Sequence, residues 1–145
     1  MRIAEILLVD DNPADTDLIG EVLSKNGSPI HIHAVTDGVE AIAFLRREGK
    51  YANKILPDFV ILDLNLPKKD GRAVLAEVKT DPVLRNIPVA IFSTSQAQRD
   101  IVRSYELGAN CYVSKPGNLK DFISAVTKIG EFWFGLARLP REEEG

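Results

Sequence analysis

Apolar and polar positions follow two alternating periods along this chain. Five apolar runs have strand length: Ile6-Leu7-Leu8-Val9, Ile30-His31-Ile32-His33-Ala34-Val35, Asp58-Phe59-Val60-Ile61-Leu62, Ile87-Pro88-Val89-Ala90-Ile91-Phe92 and Cys111-Tyr112-Val113. The first is continuous and suits a strand buried on both faces. The second alternates at its start, which predicts one wetter face and a place near a sheet edge. Between the runs, apolar residues recur three and four positions apart. Helical stripes are therefore predicted at Leu18, Ile19, Val22 and Leu23, at Val39, Ile42, Ala43 and Leu45, and at Val74, Leu75 and Val78. A fourth follows at Ile101, Val102 and Tyr105, and a fifth at Leu119, Phe122, Ile123, Val126 and Ile129.

Polar residues punctuate these stripes. Asn12 before Pro13, with Asp15 in the first turn, marks a helix start, and Asn26-Gly27 a stop. Asp37 and Glu40 form a variant capping box, Ser95-Gln96-Ala97-Gln98 reads as a second, and Asp70 and Asn118 are further caps. Residues 46–56 are charged and weakly patterned, predicting a helix end and a long surface loop. Five strand–helix pairs in alternation imply right-handed βαβ units around a parallel sheet. At this length the natural solution is an α/β, doubly wound, flavodoxin-like sheet of five strands in the order 2-1-3-4-5 with five helices. One domain is expected over residues 1–137, with a charged, disordered tail over 138–145.

Composition narrows the class. A net charge of −3 lacks the basic footprint of a nucleic-acid binder. No apolar run approaches the ~20 residues of a membrane span, and the N-terminus has no signal-peptide core. A single cysteine cannot close an internal disulfide, so a cytoplasmic, reducing setting is expected. Cys111 itself reads as a small buried hydrophobe. His31 and His33 share one strand face; the spacing permits a metal pair, although two histidines so placed are ordinarily plain strand residues.

The ends of four strands carry the chemistry. Asp10 and Asp11 follow the first, Asp63 the third, Ser93 ends the fourth, and Lys115-Pro116 follows the fifth. In an open parallel sheet these ends meet at one edge. Three carboxylates at ~4 Å repel by on the order of 4 kcal/mol per pair at an effective dielectric of ~20. A hard divalent cation offsets that cost, and a carboxylate can serve as a covalent nucleophile toward phosphorus. A hydroxyl and an ammonium suit the remaining phosphoryl oxygens.

These four motifs, in order, resemble the receiver domain of two-component response regulators. Leu64-Asn65-Leu66-Pro67-Lys68-Lys69-Asp70-Gly71-Arg72, Ser104-Tyr105-Glu106-Leu107, Asn118-Leu119-Lys120-Asp121 and Phe132-Trp133 are similar to single-domain regulators partnered with cyanobacterial and bacterial phytochromes. The resemblance implies that Asp63 accepts a phosphoryl group from a phosphohistidine on a sensor histidine kinase. It implies Mg²⁺ held by Asp11, Asp63 and the backbone carbonyl of Asn65, with Asp10 acting mainly through water. Lys115 would pair with a phosphoryl oxygen across a cis bond to Pro116, Ser93 would move toward the phosphoryl group, and Tyr112 would change rotamer with it. Gly117 and Asn118 stand where many receivers carry an aromatic residue.

Two other readings compete. A haloacid-dehalogenase-type phosphatase shares the Asp, Mg²⁺, hydroxyl and lysine, but wants Asp-x-Asp after its first strand, where this chain has an adjacent pair. A receiver-like interaction module that is never phosphorylated is the third class. Too little chain follows residue 134 for an output module, so signalling by protein contact is expected, without enzymatic turnover. Phe132, Trp133 and Phe134 are consecutive and cannot all face one way. At least one exposed ring, and a homodimer through the fourth helix, fifth strand and fifth helix, are expected.

Overall fold

The structure is a computed structural model describing residues 3–140. Five parallel strands, β1 (Ala4–Val9), β2 (Ile30–Val35), β3 (Phe59–Leu62), β4 (Val89–Ser93) and β5 (Cys111–Ser114), lie in the order β2-β1-β3-β4-β5. The helices are α1 (Pro13–Ser24), α2 (Gly38–Leu45), α3 (Gly71–Thr80), α4 (Gln98–Glu106) and α5 (Leu119–Gly130). This is the expected doubly wound sheet. β1, β3 and β4 are buried throughout, whereas β2 and β5 form the half-exposed edges.

Alternation along the strands splits the core in two. Leu7, Val9, Val60 and Leu62 face α2 and α3 with Phe44, Val74, Leu75 and Val78. Ile6, Leu8, Phe59 and Ile61 face α1 and α5 with Ile19, Leu23, Phe122, Val126 and Ile129. Helix starts follow the predicted caps: Asn12, Asp37, Asp70 and Asn118 each accept backbone N–H groups in the first turn.

Several local expectations are corrected. α4 begins after Ala97, which has no polar side chain to cap it; the Ser95 hydroxyl stands two residues earlier, donating to Asp100 Oδ2 at 2.6 Å and accepting from the Ala97 N–H at 3.4 Å. In α2, Val39 is exposed and Phe44 takes its place in the core. Residues 46–56 are not wholly loop: a 3₁₀ turn, Gly49–Tyr51, sets the Tyr51 ring 5.2 Å from Phe44. Leu119 and Ile123 turn outward from the α5 stripe. The last helix passes at Gly130 into a π-helical turn, Glu131–Leu136. Of the expected tail, Leu139 packs against the α1–α5 side of the core, and residues 141–145 lie outside the described residues. Among the described residues no helix is long and apolar enough to cross a membrane.

One glycine fixes the functional edge. The Gly71 N–H donates to the Leu64 carbonyl at 2.8 Å, and a Cβ on Gly71 would stand 2.2 Å from the Asp63 carbonyl oxygen. That oxygen is backbone and cannot swing aside. Gly71→Ala is therefore expected to destabilise the fold by ~3 kcal/mol, at the upper end of overpacking costs. Urea unfolding checks this: a loss under ~1 kcal/mol would mean the β3–α3 loop yields.

Candidate functional site

β1 delivers Asp10 and Asp11 to the carboxyl edge of the sheet, and β3, its neighbour, delivers Asp63. One carboxylate oxygen of each lies within 4.8 Å of the others. Asp10 and Asp63 are buried, and Asp11 faces solvent. β5 supplies Lys115 from beyond β4. Its ammonium is buried and donates to Asp10 Oδ2 at 2.7 Å, Asp63 Oδ2 at 2.9 Å and Asp15 Oδ2 at 3.0 Å. It also stands 5.9 Å from the centre of the Phe92 ring. The second oxygens are held by local turns: Asn12 N–H donates to Asp10 Oδ1 at 2.9 Å, and Asn65 N–H to Asp63 Oδ1 at 3.2 Å.

The electrostatics follow from burial and pairing. Burial pushes the Asp10 carboxyl above its ordinary range, and the hydrogen bonds from Lys115 and Asn12 only partly offset it. Burial alone would lower the Lys115 ammonium, but hydrogen bonds to Asp10, Asp63 and Asp15 outweigh it and hold the group above the ordinary lysine value. Lys115 is thus a permanent cation at neutral pH. One cation among four carboxylates leaves the edge strongly negative, a donor set of oxygens alone. Such a set suits a hard divalent ion.

Ser93, at the end of β4, is fully buried, and its Oγ has no hydrogen-bond partner. A buried hydroxyl without a partner is costly and points to a ligand or to a second conformation. Beside Lys115 a solvent-open cleft of about 340 Å³ is lined by Asp15, Thr94, Pro116, Asn118 and Phe122.

Tyr112 lies on β5, half-buried, and its hydroxyl donates to the Ser95 carbonyl at 2.8 Å. Burial raises its phenol above the ordinary value. Ser95 is tied in turn to Asp100, which also takes Arg72 Nη2 at 2.8 Å. The Ser95 hydroxyl and then the Arg72 guanidinium hold Asp100 below the usual carboxylate range. The β4–α4 loop is thus pinned from α3 and from β5.

The predicted residues Asp10, Asp11, Asp63, Ser93 and Lys115 converge. Two site features were missed. Asp15 reads in sequence as a first-turn acid that complements the helix dipole, yet it is the third acceptor for Lys115. Its signal was a third acid in the turn opening at the same sheet edge. The Arg72–Asp100 pair joins α3 to α4 and leaves no local pattern. The expected cis bond before Pro116 is corrected: no described peptide bond is cis. Trans is the lower-energy isomer of an X–Pro bond by about 0.5–1 kcal/mol.

The aromatic triplet divides. Trp133 and Phe134 pack on Phe59, with centroids 4.9 and 5.3 Å away, while Phe132 is half exposed. The rings of Trp133 and Phe134 therefore fold back over the sheet, and Phe132 is the exposed one.

Comparison with known proteins agrees with this geometry. Residues 6–127 match the model of the response regulator receiver domain family. Response regulator Rcp1 of Synechocystis sp. (strain PCC 6803) is 47% identical over 135 residues, covering 93% of this chain and 92% of the relative. A crystal structure of the Mn²⁺-bound form of Rcp1 superposes with a TM-score of 0.93 at 46% identity, over 95% of this chain and 99% of that one. The phosphorylated cyanobacterial phytochrome response regulator RcpA superposes with a TM-score of 0.94 at 51% identity, over 97% and 100%. With its sheet order and its converging acids and lysine, the chain belongs to the response regulator receiver domain family.

Proposed function

We propose that this chain is a phosphoacceptor switch in a cytoplasmic two-component relay, taking its phosphoryl group from a sensor histidine kinase of the phytochrome type and signalling through protein contacts. The observation that carries the reading is the setting of Asp63. Its carboxylate is buried between the Lys115 ammonium and the Asn65 N–H, at the edge where the Ser93 hydroxyl lacks a partner.

In the proposed step an Asp63 oxygen attacks phosphorus as the phosphohistidine P–N bond breaks, and the electron pair returns to the imidazole. Lys115 stays protonated and pairs with a phosphoryl oxygen. Ser93 Oγ–H donates to another. Asp10, Asp11, Asp63 and the Asn65 carbonyl would hold Mg²⁺, which when bound neutralises carboxylate charge and spreads that of the phosphoryl group. As Ser93 moves, Tyr112 releases the Ser95 carbonyl and changes rotamer, which frees the β4–α4 loop. The test is transfer of label from an autophosphorylated phytochrome-type kinase to the purified chain. Transfer in seconds to minutes supports the pairing; none, from a kinase active on its own regulator, counts against it.

The dimer proposal gains a surface. β5 is an edge strand, and between it and α5 runs a largely apolar groove of about 580 Å³ lined by Cys111, Val113, Ala125, Ile129, Phe132 and Trp133. Val102 and Tyr105 on α4 are also exposed, and the Tyr105 hydroxyl accepts from the Tyr112 N–H of β5 at 3.1 Å. A second copy of the chain is the proposed occupant. Because Trp133 is packed on Phe59, Phe132→Ala is the clean probe. It is expected to weaken self-association by ~1–2 kcal/mol, within the range for an interface aromatic, without lowering stability. Sedimentation velocity checks it, and a dimer unchanged in the variant would place the contact elsewhere.

A further inference from the structure

At the opposite end of β1 from Asp10, a second cluster of ligand-type side chains lies outside the receiver site. Glu5 on β1 is paired in register with His31 on β2, and His33 follows two residues later on the same face. The Glu5 carboxylate is buried at the foot of this group. His31 Nδ1 is 3.3 Å from Glu5 Oε2, and His33 Nε2 is 3.3 Å from Glu5 Oε1. One ligand atom from each of the three lies within 4.8 Å of the others. The Phe44 ring, 5.2 Å from that of His33, walls one side.

We propose that Glu5, His31 and His33 form a three-ligand site for a divalent transition metal of the Zn²⁺ class. The spacing is the reason. A charge-assisted N–H···O⁻ hydrogen bond settles at about 2.7–2.9 Å, so two contacts of 3.3 Å are loose as ion pairs. In a tetrahedral zinc site, Zn–N and Zn–O bonds of about 2.0–2.2 Å place neighbouring ligand atoms about 3.3–3.5 Å apart. The Glu–His separations already have that length. The ligand atoms of the two histidines lie within 4.8 Å of each other, and the His31 ring, 67% exposed, has room to swing inward. Two imidazoles and one carboxylate select a borderline metal over hard Mg²⁺, which prefers the all-oxygen edge around Asp63. The exposed side leaves a fourth position for water. An ion there would clamp the edge strand β2 to β1 and stabilise the fold by mass action.

The test is calorimetric titration of the full chain with ZnCl₂ in excess MgCl₂, repeated on Asp11→Asn, His31→Gln and His33→Gln. The expected result is one Zn²⁺ bound per chain, retained in Asp11→Asn. Each histidine variant should weaken binding by more than the about 10–100-fold typical of an outer-shell change. Circular dichroism confirms folding of the variants, and His31→Gln, on an exposed side chain, leaves the core intact. The proposal is overturned by any of three results: no saturable binding below millimolar Zn²⁺, binding unchanged in His31→Gln and His33→Gln, or binding lost in Asp11→Asn.

Discussion

Asp63→Asn is expected to remove all phosphoryl incorporation when the chain is incubated with acetyl phosphate and Mg²⁺, while leaving the fold intact. Intact mass spectrometry of parent and variant reads the result directly: one phosphoryl group on the parent, none on the variant. Loss of a nucleophile costs several orders of magnitude in rate. No neighbour can substitute. Burial raises the Asp10 carboxyl toward its protonated form, which is a poor nucleophile. Asp11 is exposed and, among the described residues, is not one of the acids paired with Lys115. The fold should survive because Asn keeps an oxygen acceptor for the Asn65 N–H, and Lys115 retains Asp10 and Asp15. The variant also sheds one charge from a crowded edge, where a like pair at ~4 Å costs on the order of 4 kcal/mol at an effective dielectric of ~20. Without Mg²⁺ it should melt no lower than the parent. Persistent incorporation in the variant would put the nucleophile on another side chain. A parent that takes no phosphoryl group from acetyl phosphate or from a kinase would favour a phosphate-independent interaction module.

What the sequence made legible was the set of strand ends. Each functional group there terminates an apolar run, so period and polarity mark the position, and the parallel topology does the rest. Asp10, Asp63, Ser93 and Lys115 were readable for that reason. Features depending on contacts between helices were not. Arg72 meets Asp100 only because α3 and α4 are neighbours along the sheet, and nothing local in either segment announces it. The box expected at Ser95–Gln98 failed because the helix starts two residues later, after Ala97, so the Ser95 hydroxyl accepts the Ala97 N–H ahead of the first turn and donates to the Asp100 side chain. Amphipathic stripes were right in existence but blurred at their margins. Val39, Leu119 and Ile123 fit helical spacing yet face outward, because a stripe wider than the available core leaves its flanks exposed. In the aromatic triplet, spacing required at least one ring to face outward, and only the packing on Phe59 decided which.

Lys115→Met is expected to cost about 3–5 kcal/mol of stability in metal-free buffer at neutral pH, the range for removing one partner of a buried ion pair. The methylene stem is conserved in volume, so the loss reports charge and not a cavity. It leaves Asp10 and Asp63 buried without their shared cation. Two dependences distinguish this cause from simple misfolding. The first is pH. Lys115 has a folded value above its ordinary 10.5, so its contribution is full below that value and is lost as pH rises through the folded one. The parent should therefore lose stability in strongly alkaline buffer by this route, and the variant should not. In the other direction, the Asp10 carboxyl is already raised by burial, and protonation favours the folded variant. The deficit should shrink as pH falls from neutrality toward that raised value. The second dependence is Mg²⁺. If Asp10, Asp11 and Asp63 hold the ion, it replaces the missing positive charge, so Mg²⁺ should raise the melting temperature of Lys115→Met more than that of the parent. Guanidinium unfolding at several pH values measures the deficit and its pH dependence, and thermal melts with and without millimolar Mg²⁺ measure the second dependence. A deficit under ~1 kcal/mol, or a melting temperature indifferent to Mg²⁺ in both proteins, would mean that the acids at this edge are solvated separately and do not form one charge-coupled site.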